Sequence, residues 1–333
     1  MTDSERSYKS TVNRIGASLL FFLLLINVLS LINQQVGAVL NEVLDEKWAD
    51  FATSLCSGVV YMLDFLLPVA FFRFISRGKR TEPMKLSPKL PKDTFAYIFA
   101  GMAVVLMAAS LNHYMISFTN YSQFTSEMLW ADEYETPLQI VMAFVTTAII
   151  PAFVEEFLFR GMILTNLRPY GRVTAIVGSA VLFGLMHQNI EQVFYATVAG
   201  LFLGYVYDAT GSIWCGILLH LMNNAFSVFE SVVLARWEET SANRICTLAE
   251  GIVFAAGAAC LVYLLCRGKK QKPNFEDGVF GEIPPEDENY VACEIEPRQK
   301  VKLFFAPFMT VFVALCVLTM AIYVAMAIYM YGF

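Results

Sequence analysis

The sequence predicts an all-α, polytopic membrane protein with about nine transmembrane helices, and three observations carry that prediction. Of its 333 residues, 57% are apolar and 16% charged, whereas a soluble domain carries about 25% charged residues. The mean hydropathy is +0.56. Apolar runs recur along the chain, separated by polar stretches, and a helix needs about 20 such residues to cross a hydrocarbon core of ~30 Å.

The first run, 15–40, follows a mostly polar stretch, 1–14, that lacks a small-residue cleavage site, so it reads as a retained signal anchor. Runs at 51–75, 94–116, 140–167, 173–187, 193–207, 213–234, 245–266 and 303–331 follow, the fifth and sixth of the nine being short. Basic residues set the expected orientation in the cell membrane. Arg6, Lys9 and Arg14 precede the first run; Arg77, Lys79, Arg80, Lys85, Lys89 and Lys92 fill the second connection; Arg168 and Arg172 the fourth; Arg267, Lys269, Lys270 and Lys272 follow the eighth run. The intervening connections 41–50 and 117–137 are acidic. This alternation predicts a cytoplasmic N-terminus and an external C-terminus, with the mixed stretch 236–244 as the exception.

Two long connections stand apart. The stretch 76–93 sets Pro83, Pro88 and Pro91 among lysines, which predicts an extended segment in reach of anionic lipid. The stretch 268–302 runs from basic to acidic and reads as a flexible linker that sets the last helix apart as an addition. Seven cysteines show no CxxC pairing and read as small buried hydrophobes. No phosphate loop or nucleic-acid signature is present, so nucleic acid is excluded as a partner.

The fourth run holds the unusual chemistry. It places Glu155, Glu156 and Arg160 within one and a half turns, although one charge at the bilayer centre costs about 2.5–3.5 kcal/mol. Glu156 and Arg160 are four apart with the acid first, the favourable order for an ion pair. Glu155 points ~100° away and has no local partner. The expected division is that Glu156–Arg160 holds structure while Glu155 does chemistry. Pro151, one turn upstream, is expected to bend the helix.

Two of the three histidines fall in similar settings. Phe183 and His187 lie four apart in the fifth run, and His220 and Asn224 four apart in the seventh. A lone membrane His or Asn is ordinarily interhelical glue, and His113, with no polar companion at helical spacing, takes that reading. Depth separates the others from it. At ~1.5 Å per residue, Glu155 lies about 18 Å above Leu167, His187 about 21 Å above Val173 and Asn224 about 18 Å above Ser212, with His220 one turn lower. Polar groups of three helices thus share one layer, as a polar cavity would require. Asp64 and Glu250 are left either as members of that cavity or as snorkelling groups. Glu191 and Gln192 are expected to cap the sixth helix, and Gly200 and Gly204 to let two helices approach closely.

A carboxylate in an apolar pocket suits a general base, and imidazoles with a carboxamide can position a water and bind an oxyanion. Alternatively, Glu155, His187 and His220 form a two-imidazole, one-carboxylate set suited to zinc. The spacing leaves both open. Glu155–Arg160 (EEFLFR), Phe183–His187 (FGLMH) and His220–Asn224 (HLMNN) resemble the EExxxR, FxxxH and HxxxN motifs of the CAAX prenyl endopeptidase and bacteriocin-processing enzyme (CPBP, Abi) family of intramembrane proteases.

That resemblance covers about 137–227 and implies an endopeptidase that hydrolyses membrane-anchored peptides or proteins in the lipid bilayer, in peptide processing or bacteriocin self-immunity. It implies that Glu155 and His187 activate the water, that His220 and Asn224 form the oxyanion site, and that Glu156, Arg160 and Phe183 complete the motifs. Under it the chain divides into three N-terminal helices (1–136), the motif-bearing core (137–234), an eighth helix (235–266), a linker (267–302) and a helix beyond the eight-helix core (303–333). The rival readings are a proton- or cation-coupled transporter, which should show a matching broken helix in each half, and an idle membrane scaffold.

Overall fold

The computed structural model describes residues 1–79, 81–84, 86, 90–117, 134, 136–270 and 295–331. Among these there is no β-strand, and the helices are α1 (Asp3–Val43), α2 (Glu46–Ile75), α3 (Thr94–Ile116), α4 (Pro137–Tyr170), α5 (Arg172–Met186), α6 (Ile190–Thr210), α7 (Ile213–Arg236), α8 (Glu239–Lys270), α9 (Pro297–Phe304) and α10 (Pro307–Tyr331). Eight are long and apolar enough to cross a membrane, and α5, with 15 residues, is shorter. The all-α polytopic class is therefore the fold.

Three boundaries differ from the sequence reading, each for a local reason. The polar 1–14 is helical, because Thr2 and Glu5 cap each other's backbone N–H groups and Tyr8, Val12, Ile15 and Leu19 bury one face. The sixth helix is not short. Asn189, rather than Glu191 or Gln192, caps it by accepting from the Glu191 N–H, and Gly211 ends it at φ +63°. The described part of 268–302 includes the short amphipathic helix α9, while 271–294 lies outside the described residues.

The last helix packs into the core rather than standing apart. Met309, Phe312 and Cys316 are fully buried, and the Asn13 side chain accepts from the Phe308 N–H at 3.1 Å. At Gly16 a Cβ would lie 2.4 Å from the Met309 backbone nitrogen, so only glycine lets α1 and α10 approach this closely. Gly200 has the same use where α6 crosses α5, with the Ala180 Cα 3.0 Å from a would-be Cβ.

The basic connections gather at one end. Tyr170 is hydrogen-bonded to Ser7 and Thr11, Arg14 donates to Ser76 at 2.6 Å, and the Glu82 N–H donates to the Asn166 side chain. Asp208 on α6 pairs with both Arg168 and Arg172. At the opposite end Gln139 donates to Asp50, and Arg236 to the Tyr134 carbonyl.

At the centre, α4 carries the fully buried Leu158, Phe159, Ile163 and Leu167 and contacts α2, α5, α6 and α7. It is not a regular helix. π-helical turns at Phe144–Ile149 and Phe157–Leu164 flank an α segment at Ile150–Glu156. Pro151 lacks the N–H that a regular ladder would use, and the helix responds by widening to i→i−5 bonds such as Ile150 N–H to the Val145 carbonyl. A widened turn rotates the residues beyond it, so the first turn sets where Glu155 and Glu156 point relative to the start of α4.

Leucine at position 16 is expected to lower the melting temperature of the detergent-solubilised protein by several degrees, since overpacking costs about 1–3 kcal/mol. Gly251→Leu, where a Cβ meets open space, is the control. Equal melting temperatures for the two variants would contradict the tight α1–α10 contact.

Candidate active site

The site is built on the short α segment of α4 between its π turns. Glu156 and Arg160 are both completely buried, and Arg160 Nη1 donates to Glu156 Oε1 at 2.7 Å. The other terminal nitrogen is used as well, while Nε has no hydrogen-bond partner among the described residues. Nη2 donates to the Gly200 carbonyl of α6 at 3.1 Å, and the group lies over the Phe183 ring of α5 at 4.8 Å. Glu156 Oε2 has no hydrogen-bond partner among the described residues and faces Gly216 of α7, where a Cβ would come within 2.8 Å of it. A side chain at 216 would displace the carboxylate.

Glu156 does more than pair with Arg160. His220 Nδ1 lies 3.1 Å from Glu156 Oε1, and His220 Nε2 lies 3.7 Å from Glu155 Oε2. An ionised carboxylate only accepts hydrogen bonds, so Nδ1 is the protonated ring nitrogen when Glu156 is charged, and Nε2 is turned towards Glu155. The expected separation of a structural Glu156 from a chemical Glu155 is thereby revised: His220 joins the two.

Glu155 is 4% exposed, and its other oxygen accepts a hydrogen bond from the Tyr61 hydroxyl of α2. Tyr61 stacks on Phe65 at 4.9 Å between ring centres. Asp64, one turn along α2, does not snorkel. It is 7% exposed, its Oδ1 lacks a hydrogen-bond partner among the described residues, and its charge reaches Tyr61. Tyr195 of α6 is likewise in electrostatic reach of Glu155. Glu250 is exposed, and its electrostatic neighbour is Glu230 of α7 rather than Glu155.

The remaining site residues are less tightly joined. Phe183 stands between the two imidazoles, 5.1 Å from His187 and 5.8 Å from His220 between ring centres. His187 terminates α5 with Nδ1 against the Phe183 carbonyl at 2.8 Å, which leaves Nε2 for other work. Asn224 accepts from Asn223 at 3.2 Å. Hydrogen bonds, ion contacts and rings thus join Tyr61, Glu155, Glu156, Arg160, Phe183, His220 and His187, while Asn224 lies one turn beyond His220. Among the described residues no three His, Cys, Asp or Glu side chains gather closely enough to hold a metal ion.

Residues 137–226, which include every motif position above, match the family described as type II CAAX prenyl endopeptidase Rce1-like. These helices are similar to that family, over about a quarter of the chain. The chain is also 27% identical over 160 residues to "Putative membrane peptidase YdiL" of Bacillus subtilis (strain 168), covering 45% of this chain and 63% of that relative. No solved structure matches the chain.

Tyr61 lies outside the matched segment, and sequence reasoning missed it. A tyrosine in an apolar run is ordinary, and its partner is 94 positions away. The available signal was the Tyr61–Asp64 pair, two polar groups on one face of a membrane helix.

Arg160→Ala should leave Glu156 buried without its cation, at a cost of about 3–5 kcal/mol. The expected outcome is loss of folded protein on size-exclusion chromatography in detergent. Recovery of wild-type yield and melting temperature would contradict a structural role for the pair.

Proposed function

We propose that the protein is an intramembrane endopeptidase that hydrolyses peptide bonds of membrane-anchored peptides or proteins, with Glu155 as the general base. The observation that carries this reading is the buried Glu155 carboxylate beside His220 Nε2 at 3.7 Å, with His220 held from behind by Glu156. A water contacting both would have an acceptor for its proton and a positioned imidazole.

In this mechanism Glu155 removes a proton from water as the oxygen adds to the scissile carbonyl carbon. Asn224 donates a hydrogen bond from its side-chain amide to the resulting oxyanion, and His220 does so from Nε2 only in its doubly protonated form, with Nδ1–H held by Glu156. Glu155 then passes its proton to the amide nitrogen as the C–N bond breaks, leaving a carboxylic acid and an amine. His187, with Nδ1 occupied by its own helix, offers Nε2 to the water. The similarity to the type II CAAX prenyl endopeptidases and to a protein named as a membrane peptidase supports the reaction class.

The proposed substrates are tethered peptides, including those of bacteriocin processing or self-immunity. The proposed orientation puts the basic end of the helices in the cytoplasm. A zinc variant would use Glu155, His187 and His220. As placed, those side chains do not form a ligand set, and one oxygen of Glu155 and one nitrogen of His220 are already engaged, so no step is derived through a metal.

The test is cleavage of a membrane-peptide library by the purified full chain, with and without a chelator. Glu155→Gln keeps the shape and removes the base, and should abolish cleavage in a folded protein. Asn224→Ala should lower the rate by about 10²–10³-fold. Full activity in Glu155→Gln would overturn the assignment, and loss of activity on chelation would move the reading to the metal variant.

A further inference from the structure

A cavity separate from the Glu155 cluster lies at the basic end of α2. It measures about 500 Å³ and opens between the last turns of α2, the turn that follows it, and the part of α4 around Gly161, Met162 and Asn166. Arg73, Arg77 and Lys79 line it together with a single carboxylate, Glu82. Cations at a helix C-terminus complement its dipole, but three against one carboxylate leave an excess of positive charge around an open volume.

The local fold aims these groups. Gly78 takes φ +71°, a left-handed turn that glycine adopts freely, and the Lys79 N–H closes the turn on the Ser76 carbonyl at 2.9 Å. Arg77 is steadied over the Phe74 ring at 5.0 Å. The loop is pinned to α4 by the Glu82–Asn166 hydrogen bond and by Met84, whose tip fills the space left by Gly161. Arg73, Arg77 and Lys79 remain exposed, and no ion pair joins them to any described acid.

The apolar part of the lining, Val69 and Phe72, lies one to two turns into the membrane from the basic rim. Beside it Leu66, Leu67 and Phe74 are exposed on the outer surface of α2. A positive rim at the end of a membrane helix, above an apolar track running down that helix, matches an anionic headgroup with acyl chains below it. A soluble anion would use the rim and leave the track bare.

We propose that this cavity binds the phosphate headgroup of an anionic phospholipid, with Arg73, Arg77 and Lys79 as its cations. The site is separate from the Glu155 cluster, so it stands or falls independently of the catalytic reading. The test is native mass spectrometry of the full chain in detergent, titrated with phosphatidylglycerol and with phosphatidylcholine of the same acyl chains, and with glycerol 3-phosphate as a soluble arm.

Phosphatidylglycerol should bind more tightly than both other probes. Arg73→Gln and Arg77→Gln should each weaken it by about fivefold, and 0.5 M salt should weaken it further. The same charge change at exposed positions on the same end, Arg6→Gln with Lys9→Gln, should leave it unchanged. Equal binding of the two lipids would overturn the proposal, as would an unaltered affinity in the arginine variants or glycerol 3-phosphate binding as tightly as the lipid.

Discussion

The Arg160–Glu156 ion pair is the constraint on which the rest of the structure depends. A charge taken from water into the membrane interior loses several kcal/mol of solvation, and its partner offsets this better when further contacts satisfy the remaining donors. Those requirements recruit neighbouring helices. α6 supplies the Gly200 carbonyl, α5 the face of Phe183, and α7 the His220 ring nitrogen. Small residues make the recruitment possible, since Gly200 and Gly216 leave the space into which the helices and the carboxylate fit. One ion pair at the centre of α4 thus sets how four helices meet, and that meeting assembles the candidate site.

The ~100° step per residue in the α segment of α4 gives the two adjacent acids different neighbours. Glu156 faces α7 and its own Arg160, whereas Glu155 faces the Tyr61 hydroxyl of α2. His220 lies between them and contacts both. The arrangement resembles catalytic sites in which one carboxylate orients an imidazole for work on its far side.

Much of this was legible in the sequence because it is local or periodic. The i, i+4 spacing of Glu156 and Arg160 forecast their ion pair, and Phe183–His187 met at the same spacing. The depth count brought Glu155 and His220 into one layer, where they are now in contact. What escaped depends on three-dimensional proximity between distant segments. Tyr61 is an unremarkable residue until α2 lies beside α4. The docking of α10 hinges on Gly16, which carries no signal except in contact with Met309. The π turns escaped because a sequence shows that Pro151 removes a donor but not how the backbone absorbs the loss. The extent of α6 was hidden because polar Asn189 and Asp208 belong to its ends rather than to loops beyond them.

The central claim is that Glu156 holds His220 by Nδ1 and turns Nε2 towards Glu155. With three histidines in the chain, selective ¹⁵N labelling of the imidazoles in the detergent-solubilised protein tests this directly. The account predicts a protonated Nδ1 on His220, identified by the signal lost in His220→Gln, and loss of that preference in Glu156→Gln. A His220 ring protonated at Nε2 alone, unchanged by Glu156→Gln, would contradict it.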